Sequence, residues 1–382
     1  MSHPRSAVNA IFFINGFLHA NLASRYPRVQ DIYALDNGSL GIVLLSSSIG
    51  AVLAMPFTGW LVTRNGSRRI GIFSVFSYAV FFPLVTLVPG MVGLMALFFL
   101  MGVTAGMLDV SMNAQAVMVE RKAGKPIMTS FHALFSIGMA LGAGCGAVVE
   151  EIRLPLLWHM VIITAACVPV AAWVRYHLIH DAPESSQGEE PAFRLPNAAM
   201  VSIGVIAFCC MLGEGAMADW STNYLERIAL APKAIAPLGL GAFALAMTIG
   251  RAFGDRARMR FGDTRLMVGC GMLSTAGLAV ALIWPQPVPA VIGFFLVGLG
   301  LSVIVPIAYS IAGNSKTVSP AVGLAMVTTV GYTGFLFGPP IIGFLADWFS
   351  LRIALLFVAG LFVAMTLLSS FYRKEEDRHN GG

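Results

Sequence analysis

Charge is scarce in this chain. Only 11% of its 382 residues are Asp, Glu, Lys or Arg, where a soluble globular domain carries about 25%. So few charges cannot clothe a water-facing surface. The 57% hydrophobic content and the mean hydropathy of +0.79 point the same way, to a membrane protein. Cysteine is rare as well. The five present (Cys145, Cys167, Cys209, Cys210, Cys270) all fall inside apolar runs and lack metal-ligand spacing, so they read as small buried hydrophobes. No Walker A sequence is found, which argues against ATP as the energy source. Nucleophile elbows and metal-ligand clusters are missing too, and no enzymatic activity, metal or cofactor is expected. His177 and His180 stand at metal-like spacing, and two histidines alone are too few for a metal site. No Ala-x-Ala cleavage site follows the first apolar run, which Asn15, His19 and Asn21 interrupt, so that run is expected to be a span and not a signal peptide.

What the chain does have is a series of apolar runs, each of about 20 residues and long enough to cross a bilayer as a helix. They are too long for the short alternating strands of a barrel. The runs predict an all-α membrane protein of twelve spans, at about 7–26, 38–62, 70–89, 92–117, 127–149, 156–178, 197–223, 234–256, 265–284, 288–311, 320–346 and 352–372. The net charge of +5 is spread over alternate loops and implies no nucleic-acid partner. Arg64, Arg68, Arg69, Arg121, Lys122, Lys125, Arg256, Arg258, Arg260 and Arg265 all fall on one side of such a topology. Basic loops stay inside, which places both termini in the cytoplasm of a multi-pass protein.

The longest polar stretch between spans, about His180 to Pro196, is rich in Glu, Ser and Pro and has no apolar period. It is expected to be a flexible cytoplasmic linker between an N-terminal bundle over 1–179 and a C-terminal bundle over 197–382. The two halves read as copies. Gly59-Trp-Leu-Val-Thr-Arg-Asn-Gly66 and Asp255-Arg-Ala-Arg-Met-Arg-Phe-Gly262 place Arg then Gly at an offset of 196 residues, and at that offset Gly138 and Gly142 meet Gly334 and Gly338. Glycines four apart let helices approach closely.

Within the spans, ionisable residues mark function. Asp109 lies deep in the fourth span, with Asn113 on its face at i+4. Two readings stand for it: proton coupling or substrate binding, and a structural hydrogen-bonded role. Desolvation raises a carboxyl pKa and a nearby cation lowers it, so alternating exposure gives a way to load and release a proton. Glu214 and Asp219 in the seventh span are five apart and point about 140° from each other on a regular helix. One is expected to face a cavity and the other to pair with Arg251. The flanking Gly213 and Gly215 predict a break in that helix. Trp220 and Tyr224 are gate aromatics or interface-belt residues. Asn15 and His19 share a face of the first span, and His132 lies near Phe135 and Ser136 in the fifth; each is a pathway group or a satisfied interior one. Tyr332 and Phe335 share a face of the eleventh span, suited to stacking on sugar-like or flat drug-like solutes. Arg25 is placed at the outer end, snorkelling to the interface as an anchor or pairing with Glu226 or Asp31 as an external gate. Pro306 and Pro339-Pro340 mark kinks.

The stretch Gly59-x-x-x-Thr63-Arg64-x-Gly66-x-Arg68-Arg69 resembles the loop motif between spans two and three of the major facilitator superfamily. It departs from it at Thr63, where an acid is usual, and at Ser67, where the first of a basic pair is usual. The acid is part of a cytoplasmic latch in the family; Asp255, after Gly250-Arg251, supplies one in the second half. A second set is similar to a bacterial branch near the fucose permease group: Ala23-Ser-Arg25-x-Pro27, Asp109-Val-x-Met-Asn113, His132-x-Leu-Phe135-Ser136-x-Gly138, Glu214-Gly-x-x-x-Asp219-Trp220 and Gly331-Tyr332-x-Gly334-Phe-Leu-x-Gly338-Pro339-Pro340. The resemblance implies two pseudo-symmetric six-helix bundles and secondary active transport by alternating access, often coupled to protons. It also implies a sugar-like solute, a bacterial inner membrane and a functional monomer. The central cavity is expected between the halves near mid-membrane. The alternative is a proton-antiporting exporter of drugs or metabolites.

Overall fold

The computed structural model describes residues 2–124, 127–181, 198–313 and 320–380, and every regular element among them is a helix. The helices are α1 (Ser2–Ala23), α2 (Tyr26–Tyr33), α3 (Asn37–Asn65), α4 (Ser67–Leu84), α5 (Gly90–Ala123), α6 (Met128–Glu151), α7 (Leu156–His177), α8 (Ala198–Arg227), α9 (Leu238–Phe261), α10 (Asp263–Ile283), α11 (Pro287–Leu301), α12 (Ile304–Gly313), α13 (Pro320–Trp348) and α14 (Leu351–Asn380). Among the described residues, nine stretches are long and apolar enough to cross a membrane; α1, α4 and α9 fall short. Each of these three has a physical reason. Asn15, His19 and Asn21 dilute α1, the paired arginines Arg68 and Arg69 open α4, and Arg251, Asp255 and Arg256 charge the second half of α9.

Each of the twelve expected spans has its helical counterpart, with two departures in detail. The tenth span is split into α11 and α12 at Ser302–Val303. Pro306 explains the split: it has no N–H to give the carbonyl of Ser302, and its ring crowds that turn. The seventh span is not broken. α8 runs without interruption through Gly213 and Gly215. These glycines serve packing instead. A Cβ at Gly213 would overlap the ring of Phe362 on α14, and one at Gly215 would lie 3.1 Å from Phe335 Cδ1 on α13.

The chain divides into two compact units. The first is Met1–Gln187 with Pro232–Gly241, and the second is Gly188–Ala231 with Ala242–Gly382. Of the expected linker, only His180 and Asp181 are described; 182–196 lies outside the described residues.

Repetition of the units is visible in their contacts. In the first, α1 packs on α6 at Gly138, where a Cβ would overlap the carbonyl oxygen of Phe13 and stand 2.9 Å from the nitrogen of Phe17. In the second, α8 packs on α13 at Gly334, where a Cβ would stand 2.6 Å from the oxygen of Phe208 and 2.9 Å from the nitrogen of Leu212. Only glycine permits such backbone approach. Gly66 (φ +81°) and Gly262 (φ +75°) hold matching joints between α3 and α4 and between α9 and α10. Residues with a side chain rarely adopt that conformation.

The Gly66 joint also answers the departure at Thr63. Thr63 uses its hydroxyl on the carbonyl of Trp60 (2.8 Å), and Arg64 lies over the Trp60 ring at 4.4 Å. The carboxylate comes from Asp181 instead. It accepts hydrogen bonds from the backbone nitrogen of Ser67, from Ser67 Oγ at 2.6 Å and from the nitrogen of Arg68 at 3.2 Å. An anion there meets the unpaired N–H groups and the positive end of α4. Gln115 of α5 ties the arrangement together, donating to Ser67 Oγ (2.8 Å) and to the carbonyl of Ile179 (3.0 Å). Arg68 closes it, with Nη2 on the carbonyl of Arg175 (2.7 Å) and Nη1 3.0 Å from His180 Nδ1. His177 is turned elsewhere, stacked on Trp173 and bonded to that residue's carbonyl at 2.8 Å.

Candidate functional site

Each unit holds its own cluster of polar groups within membrane-spanning helices. In the first, α5 is held closely by its neighbours. Gly102 and Gly106 sit against the backbone of Ser47 and Ala51 on α3, and Gly71 of α4 faces Ser111. Asp109 and Asn113 continue the Gly102–Gly106 stripe, since residues 4, 7 and 11 positions on return to one helical face. Asn113 Nδ2 donates to the backbone oxygen of Asp109 at 2.9 Å and to its Oδ1 at 3.3 Å. A carboxylate and a carboxamide thus form one unit along the helix. Ser111 has its hydroxyl on the carbonyls of Met107 and Leu108 (2.8 and 3.1 Å).

α1 and α6 bring further expected residues to the same unit. Asn15 reaches α5, with Nδ2 3.8 Å from the sulfur of Met112. His132 meets the Phe12 ring edge-on at 5.1 Å, and Phe12 stacks on Phe131 at 5.7 Å. The carbonyl of Phe135 lies where a Cβ at Gly16 would stand, so Phe135 belongs to the α1–α6 seam. His19 makes no hydrogen bond with a described residue. The equivalent contacts at Gly138 and Gly334 engage Phe17 and Leu212; counting two residues on from each puts His19 and Glu214 at matching positions of the two units.

Arg25 departs from one of its two expected settings, the snorkelling one. It is 3% exposed, too enclosed to snorkel. Its Nε lies 3.0 Å from Glu150 Oε1 and its Nη2 donates to the carbonyl of Leu154 at 3.1 Å. Asp31, one of the two partners expected for it beside Glu226, lies 2.6 Å from Arg28, and Arg28 also lies 3.1 Å from Glu150. Glu150, on the last turn of α6, had offered no sequence signal.

In the second unit, Glu214 Oε2 lies 3.6 Å from Arg251 Nη2 on α9. Cys210 donates its thiol to Glu214 Oε1 (3.7 Å) and to the carbonyl of Leu301 (3.6 Å). Asp219, five residues on, has no hydrogen bond or ion pair with a described residue. Asp255 is exposed near the end of α9, where Arg258 forks onto Asp263 with two bonds of 2.8 Å. Tyr332 and Phe335 lie with ring centroids 6.2 Å apart on α13.

Trp220 and Tyr224 are both fully enclosed. Tyr224 donates its hydroxyl to the carbonyl of Ala281 at 2.7 Å and meets Phe294 edge-on at 5.6 Å, which packs it against α10 and α11. The Trp220 indole nitrogen has no acceptor among the described residues. Ser221 Oγ, Thr222 Oγ1 and both amide atoms of Asn223 are likewise without partners there. Leaving a buried polar group unmatched costs about 1–3 kcal/mol. This run was passed over in the sequence. Its signal was the spacing Asp219-x-Ser221-x-Asn223, which repeats Asp109-x-Ser111-x-Asn113.

The model of the major facilitator superfamily matches residues 8–316 and 230–382. The chain belongs to that superfamily. Among relatives of this superfamily member, membrane protein MosC of Rhizobium meliloti is 34% identical over 377 residues, covering 99% of this chain and 91% of MosC. An uncharacterised MFS-type transporter of Yersinia pestis is 35% identical over 357 residues, covering 93% and 92%. Among solved structures, the nucleoside transporter NupG aligns with a TM-score of 0.75 at 13% identity, covering 97% of this chain and 98% of that one. At such identity it shows the shared fold alone. The protein is therefore a multi-pass secondary transporter of the superfamily type and not an enzyme.

Proposed function

We propose that this superfamily member is a proton-coupled symporter of a small, polar, sugar-like organic solute. It works as a monomer by alternating access in a bacterial inner membrane, with both termini cytoplasmic and bundles over 1–179 and 197–382. The observation that carries the reading is the placing of three carboxylates within membrane-spanning helices, each in a different setting. Asp109 is bonded to a carboxamide, Glu214 has a cation and a thiol beside it, and Asp219 is without a partner among the described residues. Ionisable groups at such depth are costly and mark ion or substrate pathways. Three environments give three affinities for a proton. Asp109 takes and releases the proton; Asp219 accepts substrate or titrates second; the Glu214–Arg251 pair holds α8 to α9. Asn15, His19, Asn113, His132, Tyr332 and Phe335 supply polar and aromatic contacts to solute. Arg64, Gly66, Arg68 and Asp255 serve the cytoplasmic joints.

Two measurements test this. In proteoliposomes loaded with a pH-sensitive dye and given no gradient, adding the transported solute outside should acidify the interior. Alkalinisation would reverse the coupling and make the protein a proton-antiporting exporter. In Asp109→Asn, concentrative uptake should be lost while solute exchange across the bilayer persists. Accumulation driven by an imposed pH gradient in Asp109→Asn would remove that residue from the coupling role.

A further inference from the structure

Asp109–Asn113 and Asp219–Asn223 share a spacing but not a fate. In α5 the carboxamide donates to the carboxylate and the intervening serine is bonded to its own helix. In α8 no member of the set is satisfied by a described residue: Asn223 is 0% and Thr222 2% exposed, and both amide atoms of Asn223 and the hydroxyl of Thr222 are without partners. A threonine in a helix ordinarily returns its hydroxyl to a carbonyl one turn back, as Thr58 and Thr248 do here (2.7 and 3.0 Å). Thr222 does not.

These groups share one side of α8. Residues 219, 222 and 223 fall within about 100° of arc on a regular helix. The same stripe begins further down with Phe208 and Gly215, which face Gly334 and Phe335 on α13. The polar run is thus the continuation of the α8–α13 seam beyond Phe335, whose ring neighbours Tyr332.

We propose that Asp219, Thr222 and Asn223 form a hydrogen-bonding subsite for an uncharged solute with several hydroxyl groups. The inference rests on the reading of this chain as a solute carrier and names the chemistry its second unit recognises. Asn223 offers two donors and an acceptor, Thr222 one donor and two lone pairs, and Asp219 accepts. Adjacent hydroxyls of one ligand can donate to Asp219 and accept from Asn223 one turn away. No Lys or Arg lies on the stripe from Phe208 to Asn223, so α8 itself offers a carboxylate or phosphate ligand no charge to offset Asp219.

The test reads binding without any gradient, as thermal stabilisation of the full-length protein in detergent. The probes are D-glucose, L-fucose and D-mannitol, set against 4-hydroxybenzoate, ethanolamine and tetraphenylphosphonium. At least one hydroxyl-rich probe should stabilise the wild type at millimolar concentration. Its half-maximal concentration should rise about five- to tenfold in Asn223→Ala and in the near-isosteric Thr222→Val, the worth of one hydrogen bond, and Asn223→Gln should recover part of it. Gly360→Ala, with open space around it, should bind as the wild type does. Stabilisation by benzoate, ethanolamine or phosphonium alone would overturn the class of ligand, as would no response to any hydroxyl-rich probe. Equal binding in wild type and in whichever of the two variants keeps the wild-type size-exclusion profile would overturn the subsite. Failure of proton coupling leaves this readout untouched: a protein that binds mannitol through Asn223 but moves no protons would refute the symport reading and keep the subsite.

Discussion

Glu214 shows what a single residue gains from its surroundings. Its carboxylate has a guanidinium at 3.6 Å and a thiol at 3.7 Å, so its charge is matched within the bundle. Removing one partner of an enclosed ion pair strands the other, and the stranded charge is the larger cost. Arg251→Leu should therefore destabilise the protein by up to about 3 kcal/mol, the lower end of that range because both side chains retain some exposure. Adding Glu214→Gln to Arg251→Leu should restore most of the loss. A double-mutant cycle on denaturant midpoints checks this, and additive losses would show that the two side chains do not act as a pair. That Glu214 and Arg251 were candidates at all was legible from sequence, because any charge inside an apolar run stands out. Ser221, Thr222 and Asn223 were not, because hydroxyls and amides in a span are usually satisfied locally and carry no signal until their partners are known. Arg25 misled for a related reason. A basic residue at a span end ordinarily reaches for water, and only the position of Glu150 across the bundle shows why this one does not.

Among the elements, seams are set by glycine and starts by caps. The Gly138 and Gly334 contacts bring α6 against α1 and α13 against α8 at backbone distance. A larger residue must push the pair apart, and overpacking costs about 1–3 kcal/mol. Gly138→Leu and Gly334→Leu should each lower the unfolding temperature and broaden the size-exclusion peak, while Gly360→Ala, with open space around it, should leave both unchanged. The glycine pairs were readable as a repeat, and the repeat carried most of the fold. The unbroken α8 was not, since glycines beside an acid suit a broken helix and a tight seam equally. Their neighbours Phe362 and Phe335, far along the chain, decide between them. The start of α3 shows a different dependence. Asp36 caps it, accepting from the nitrogen of Ser39 at 2.7 Å, and the Ser39 side chain and backbone hold the Asp36 carboxyl below its ordinary value. A depressed pKa means that the stabilisation is present above the unfolded value and fades as pH falls through the folded one. Asp36→Ala should cost about 1 kcal/mol near neutral pH. Unfolding temperatures of Asp36→Ala and wild type, followed against pH, should converge on the acid side. Parallel curves would show that the cap's charge contributes nothing.

For the whole molecule, orientation follows from the basic residues. Arg68 and Arg69 open α4, Arg121 and Lys122 close α5, and Arg258 and Arg260 close α9. All lie at helix ends that alternate sides if each long helix crosses once, and all fall on the same side. The other ends are poorer in such residues and carry Asp36 and the Glu150–Glu151 pair. Positive residues in short loops are retained in the cytoplasm and acids have little influence, so Arg121 should face inward and Glu151 outward. In a protein with its five cysteines replaced by alanine or serine, Glu151→Cys should react with a membrane-impermeant maleimide in intact cells. Arg121→Cys should react only after permeabilisation. Both positions are exposed, so a lack of reaction reports the barrier and not packing. The opposite pattern would invert the protein in the membrane. It would also turn the Ser67–Asp181–Gln115 joint to the outer face, and with it the side on which the dye experiment must add its solute.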